Sequence, residues 1–206
     1  MEYSAGEKRL LEFLQELNQE TDVFVLKESG ALRFCYGLDR AVDYLEFDSV
    51  SEDVVPYGEK FLKKHGWSDA EIEAALVTQM RRGEQWHDYE IRSFIRTNIP
   101  PEDTKIINGI RAYTIERIAS MRLVAYIRFD DPLDLYDFVF ICRHYFDEVS
   151  HTLKEVFCDT ISYRGLMSLN FHIERDKDPQ IDLRKLKEDV LQLGGRLGIR
   201  LDPDGF

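Results

Sequence analysis

The chain is poor in cysteine. Its 206 residues include three, Cys35, Cys142 and Cys158, odd in number and far apart. That excludes a disulfide framework or a cysteine zinc site and fits the reduced thiols of a cytoplasmic protein. No apolar run approaches the ~18 residues that a membrane span needs; the best, Leu123–Ile127 and Phe138–Cys142, are core-sized. The opening Met-Glu-Tyr-Ser has neither the basic nor the apolar region of a secretory signal. Basic residues are scarce as well: 27 Lys+Arg stand against 39 Asp+Glu, a net charge of −12. That balance argues against broad electrostatic binding to nucleic acid and leaves room for a small basic pocket that grips a nucleotide. Walker, GxGxxG, GxSxG and HExxH patterns are all absent.

What is present suffices for a packed core. Hydrophobic residues make up 44% of the chain and aromatics 12%, which suits one domain or two small fused ones. Ser4-Ala-Gly-Glu7 has capping-box spacing, and Leu10, Leu11, Leu14 and Leu17 follow at helical intervals, predicting a helix over 7–18. Val23-Phe-Val-Leu26 predicts a buried strand, and residues 31–36 a short helix stopped by Gly37. From Val42 to Asp48 the pattern alternates, with Leu45 and Phe47 on one face and Tyr44, Glu46 and Asp48 on the other, as in a half-buried strand. Residues 54–65 form an amphipathic pattern closed by Gly66.

The stretch 68–97 is ambiguous. Ser68-Asp-Ala-Glu71 with Ile72, Leu76 and Met80 suits a helix, whereas Tyr89 to Ile95 suits a strand. Pro100-Pro101 breaks the chain and is a candidate boundary, yet 106–113 still reads as a strand of the same sheet. Residues 115–129 and 133–146 are helical, and Leu183, Leu186, Val190, Leu193 and Leu197 stripe a last helix whose end Gly194-Gly195 weakens. The expected architecture is therefore α/β (α+β): a mixed sheet with flanking helices over 1–113 and a helical bundle over 114–206.

Two carboxylate sets stand out. Glu46 and Asp48, spaced i, i+2 on a strand, put their Cα atoms about 7 Å apart on one face. Such a pair can converge on divalent cations, and two-metal phosphoryl transfer needs ions about 3.5–4 Å apart; a solvated acidic strand face has the same spacing. Asp134 and Asp137, three apart, share one helical face and could meet Arg122 or Arg128 of the preceding helix in an interhelical ion pair. The five histidines form no tight metal spacing, although His144 and His151 could share a helix face. Arg81-Arg82 and Lys63-Lys64 suit solvated faces, and Trp67 and Trp86 suit packing.

The run from Leu26 to Asp48 resembles the signature of the abortive-infection nucleotidyltransferases, the AbiEii/AbiGii toxin family, which reads L-K-G-G-T-A-L-R, then Y-G, then R-x-S-E-D-L-D-F-D. Ala31-Leu32-Arg33, Tyr36-Gly37, Arg40 and Leu45-x-Phe47-Asp48 fall in register. Downstream, Glu116-Arg-Ile-Ala-Ser-Met-Arg-Leu-Val-Ala125 is similar to the family's E-E-I-x-A-x-K-L-x-A, and Leu133-Asp-Leu-Tyr-Asp-Phe138 to its R-D-L-Y-D-L.

The resemblance implies a nucleotidyltransferase-like fold and metal-dependent transfer of a nucleotide from a nucleoside triphosphate to an RNA or protein acceptor. In that scheme Glu46 and Asp48 hold Mg²⁺ or Mn²⁺, while Ser29 and Gly30 meet phosphates at a helix start, with Arg40 beside them. Arg122 neutralises phosphate charge, and Asp134 or Asp137 orients it or positions the acceptor. A cognate antitoxin protein is the partner implied, and no membrane. The departures fall on the same site. Glu28-Ser29-Gly30 replaces Gly-Gly-Thr, and an inward Glu28 repels phosphates. Tyr44 and Glu46 replace the two Asp of the D-x-D pair, Arg122 replaces the family's Lys, and Leu133 an Arg. The alternative these departures support is an inactive module of the same fold that binds a nucleotide, RNA or protein.

Overall fold

The computed structural model describes residues 2–42, 44–72, 90–175 and 180–203. Leu76, Met80, Arg81-Arg82, Trp86, His87 and Tyr89, which entered the expectations above, lie outside the described residues. The chain divides into two compact units, Met1–Thr114 and Ile115–Phe206. No helix among the described residues is long and apolar enough to cross a membrane.

In the first unit, helix α1 (Ala5–Glu20) begins at Ser4. The Ser4 hydroxyl accepts from the Glu7 amide at 3.1 Å, and the Ser4 amide donates back to Glu7 Oε2 at 2.9 Å. Two backbone donors at the helix start are thereby met. The buried stripe is Leu10, Phe13, Leu14 and Leu17; Phe13 replaces Leu11, which is only half-buried. Strand β1 (Val25–Leu26) is two residues long and wholly buried. Helix α2 (Glu28–Tyr36) starts three residues earlier than its apolar pattern indicates, and Gly37 closes it in the left-handed region at φ 80°.

Strand β2 (Tyr44–Ser49), helix α3 (Val55–Lys64) and strand β3 (Glu90–Ile95) follow. A helix begins after the Ser68–Glu71 capping pair, its described part being residues 69–72. The single strand expected over 106–113 is corrected to a hairpin: β4 (Thr104–Ile107) and β5 (Ile110–Tyr113) turn over Asn108-Gly109, both at positive φ (52° and 82°), as a tight two-residue turn requires. Pro100-Pro101 is therefore a break inside this unit, since the sheet resumes beyond it.

The five strands run in the order β3-β2-β1-β5-β4. β1 pairs antiparallel with β2 and parallel with β5; β2 pairs parallel with β3, and β4 antiparallel with β5. One face is apolar. Phe47 meets Phe13 and Phe24 edge-on at centroid distances of 6.5 and 6.0 Å, and Phe13 meets Phe61 of α3 at 5.4 Å. Such T-shaped pairs add to the burial of large rings. The other face of β2 is buried as well: Glu46 and Asp48 are 9% and 1% exposed. The expectation of a half-buried strand with solvated carboxylates is therefore corrected.

The second unit's described residues hold five α-helices and no strand: α4 (Ile115–Phe129), α5 (Pro132–His144), α6 (His151–Arg164), α7 (Met167–Arg175) and α8 (Leu183–Arg196). The second helix thus ends before 146, and His144 and His151 fall on different helices. Asp131 caps α5, accepting from the Leu133 amide at 2.9 Å. Arg164 closes the C-terminal end of α4, donating to the carbonyls of Tyr126 and Ile127 and to Asp130 Oδ1. Leu183, Leu186, Val190 and Leu193 form the buried stripe of α8. Its Gly194 has a packing reason: a Cβ there would come within 3.0 Å of Leu201 Cδ1 and 3.2 Å of Ile199 Cγ1 as the chain folds back.

One buried ion pair links the two helices that flank β1 in sequence. Arg33 Nε donates to Glu7 Oε1 at 2.6 Å and Arg33 Nη2 to Glu7 Oε2 at 3.1 Å, with both side chains buried. Burial works to raise the Glu7 carboxyl, but hydrogen bonds from Arg33 and the Ser4 amide outweigh it and hold the group below its ordinary 4.5. A carboxyl depressed in the fold stabilises it fully above 4.5 and loses that contribution as pH falls through the folded-state value. Glu7→Gln is therefore expected to lower stability by about 3 kcal/mol at pH 7. The gap between variant and wild type should narrow on acidification, as urea unfolding at a series of pH values would record.

Candidate functional site

Sheet register builds a polar cluster on the face of β2 opposite the aromatic core. Val25 lies opposite Asp48, so Lys27 falls opposite Glu46, and the Lys27 amide donates to the Glu46 carbonyl at 3.0 Å. On the other side, parallel pairing sets Phe94 beside Asp48. Side chains alternate along each strand, so Lys27, Glu46, Asp48 and Phe94 share one face. Tyr113 joins them from the end of β5 and Arg96 from just beyond β3.

These residues converge on the Asp48 carboxylate. Tyr113 donates its hydroxyl to Oδ2 at 2.8 Å, and Arg96 Nε reaches the same oxygen at 2.9 Å. Lys27 Nζ lies 3.3 Å from Oδ1, 4.0 Å from Glu28 Oε1 and 4.1 Å from the Phe94 ring centroid. Asp48 is 1% exposed and Lys27 5%, whereas the Arg96 side chain is 48% exposed. A carboxylate this deep needs opposite charge and hydrogen bonds to offset its lost hydration, and here it has two cations and a phenol.

That donor set does not fit a divalent cation. Mg²⁺ demands near-octahedral oxygen ligands, commonly one or two carboxylates with waters and substrate phosphates. Oδ2 of Asp48 already accepts from Tyr113 and is ion-paired with Arg96, while Oδ1, which has no hydrogen-bond partner among the described residues, faces the Lys27 ammonium at 3.3 Å. An ion placed there would sit against two fixed positive charges. Among the described residues, no three His, Cys, Asp or Glu side chains group so as to hold a metal. Glu46 and Asp48 do share the face the spacing indicated; what spacing could not supply is the charge around them.

The turn into α2 lies beside this cluster. Glu28 has φ 56°, the left-handed region, at the position where the toxin-family motif carries glycine. Ser29 and Arg40, expected to meet phosphates, are brought together: Arg40 Nη2 donates to Ser29 Oγ at 2.6 Å, and both are buried. Gly30 turns toward the sheet, where a Cβ would touch Leu45 Cδ2 at 3.4 Å and Leu26 Cδ1 at 3.5 Å.

Within the helical unit, the remaining expected residues come together. Arg122 Nη1 donates to Asp134 Oδ1 at 2.6 Å and lies 3.8 Å from Asp137 Oδ2. All three are buried, with Asp137 fully enclosed. Arg128 is exposed on the same helix. The i, i+3 spacing on α5 thus puts two carboxylates on one guanidinium inside the α4–α5 pair. No thiol is poised as a nucleophile in either unit. Burial pushes Cys35 and Cys142 up to about 12, which keeps both protonated near neutrality, and burial raises Cys158 as well.

Sequence reasoning did not single out Arg96, Tyr113 or Phe94. They stand 48, 65 and 46 residues from Asp48 in the sequence, and no local pattern marks them. Lys27 lay inside the quoted motif without a role. Only the strand register reveals these four as a group.

No family model matches the sequence, and no curated protein does. The fold has counterparts among solved structures, both from H. pylori. JHP933 superposes with a TM-score of 0.64 at 19% identity, over 93% of this chain and 90% of that one. A candidate nucleotidyltransferase superposes with a TM-score of 0.66 at 18% identity, over 93% and 92% of the two chains. Identity this low establishes the fold, which is nucleotidyltransferase-like: a mixed sheet with flanking helices.

Glu28 offers a direct check on the turn. A left-handed non-glycine residue costs about 1–2 kcal/mol. The greater freedom of glycine in the unfolded chain takes back about 0.5–1 kcal/mol. Glu28→Gly is thus expected to raise the urea midpoint, by roughly 0.5–1 kcal/mol of stability, while Glu28→Ala, which keeps the strain, should not.

Proposed function

We propose that the Met1–Thr114 unit binds the phosphates of a nucleoside triphosphate without a divalent metal, and that this chain is a binding member of the nucleotidyltransferase fold. The carrying observation is the state of Asp48, neutralised by Lys27 and Arg96 and hydrogen-bonded by Tyr113. A two-metal transfer site needs carboxylates left free for cations. Here the best-placed carboxylate serves to fix cations of the protein instead.

Charge and position support a phosphate ligand. Lys27 and Arg40 stand at the start of α2, where helical N–H groups and the dipole favour anions, and Arg96 pairs with Asp48 beside them; Glu28, 4.0 Å from Lys27, is a carboxylate there that a phosphate must displace from the ammonium. The ion pairs of Lys27, at 3.3 and 4.0 Å, are longer than a well-formed N–H···O bond. Its ammonium therefore keeps donor capacity that a phosphate oxygen can take up. The nucleotidyltransferase-like fold of the H. pylori proteins supports a nucleotide over a bare anion as the ligand. The motif likeness to the abortive-infection toxins accounts for the frame; transfer to an RNA or protein acceptor is the part of that likeness against which the Asp48 cluster argues.

The experiment is calorimetric titration with each nucleoside triphosphate, in excess EDTA and again in Mg²⁺, beside a transfer assay using α-labelled triphosphates, cellular RNA and protein. The proposal expects comparable affinity in both buffers, at least tenfold weaker binding for Lys27→Met, and no transferred label. Mg²⁺- or Mn²⁺-dependent labelling that disappears in Asp48→Asn would overturn it in favour of an active transferase. Binding absent in both buffers would overturn it outright.

A further inference from the structure

We infer that Phe94 is the platform on which the nucleotide's base stacks, a reading that rests on Lys27 as the phosphate anchor. Phe94 is 44% exposed, although it lies within the sheet face whose neighbours Glu46, Asp48 and Lys27 are at least nine-tenths buried. The strand pairing fixes its place beside Asp48. One side of its ring is taken by Lys27 Nζ, 4.1 Å from the centroid. The side of the ring away from the ammonium is the one we assign to the base.

This juxtaposition suits the two chemically different ends of one nucleotide. A phosphate oxygen can be held by Lys27 while an aromatic base lies on the outer surface of Phe94, one ring's thickness and a stacking gap away. Stacking on an aromatic side chain is tolerant of base identity, because every base presents a π-face, and its strength grows with ring area. A purine triphosphate should therefore bind more tightly than a pyrimidine one. The Lys27 ammonium contributes twice, drawing in the phosphate and holding the ring by a cation–π contact. Arg96, half-exposed and one step beyond β3 on the same face, flanks the opening with a second positive charge.

The test compares two probes, ATP and inorganic triphosphate, titrated without metal into the full chain and into Phe94→Ala, Phe94→Tyr and Lys27→Met. Phe94→Ala should weaken ATP roughly tenfold and leave triphosphate within about twofold. Phe94→Tyr should restore ATP binding, and Lys27→Met should weaken both probes. Unchanged triphosphate binding also certifies that the alanine variant is folded. If Phe94→Ala weakens both probes equally, or neither, the platform is refuted while the phosphate reading stands. If wild type binds neither probe, the Lys27 anchor falls and the platform with it.

Discussion

Four strands of the α/β unit meet on one carboxylate. Asp48 belongs to β2, and its partners come from the end of β1 (Lys27), the residue following β3 (Arg96) and the end of β5 (Tyr113). A buried, unpaired carboxylate would cost several kcal/mol, so these contacts and the sheet register require each other. A slip of β1 or β3 by one residue would turn Lys27 or Phe94 to the opposite, aromatic face and leave Asp48 without its full set of partners. The aromatic face answers the same register from its own side, since Phe47, Phe24 and Phe13 interlock only in this alignment. The fold and the candidate site thus depend on one alignment of strands.

The same interaction decides the chemistry. Two carboxylates on one strand face invite divalent cations when the space in front of them is open or holds only water. Here the protein's own cations occupy it. Two departures from the motif that the sequence resembles, Tyr44 for an acid and Glu28 for a glycine, lie on the strand and turn that carry this cluster. The first removes an oxygen ligand. The second has a left-handed backbone, which glycine adopts readily, and sets a carboxylate 4.0 Å from Lys27. The helical unit carries its own buried cluster, in which Arg122 holds Asp134 and Asp137 between α4 and α5. In that unit the bland reading of the spacing, an interhelical ion pair, describes the observed geometry.

Much of the fold was legible because local physics decided it. The Ser4–Glu7 box, the Gly37 stop of α2 and the stripe of α8 are each written within a few residues. The elements that misled were those settled at long range. Helix α2 begins at Glu28 because the turn out of β1 sets the backbone there, not because an apolar pattern starts. Pro100-Pro101 breaks the chain, yet the sheet needs β4 and β5 beyond it. Alternation along β2 correctly assigned Glu46 and Asp48 to one face, but it could not tell that this face is buried. Of the site, the sequence revealed the carboxylates and the α2 turn. Arg96, Tyr113 and Phe94 became visible only through pairing across tens of residues.

The central claim is that Asp48 is a structural counter-charge for Lys27 and Arg96, and its most direct test is the stability of Asp48→Asn without divalent metal. A carboxylate that holds two buried or half-buried cations should be missed by the fold, and the account predicts a loss of about 3 kcal/mol in urea unfolding under EDTA. Carboxylates that crowd around an empty cation site repel each other, and neutralising one relieves the fold. Unchanged or increased stability of Asp48→Asn would therefore contradict the account and return Glu46 and Asp48 to the role of metal ligands.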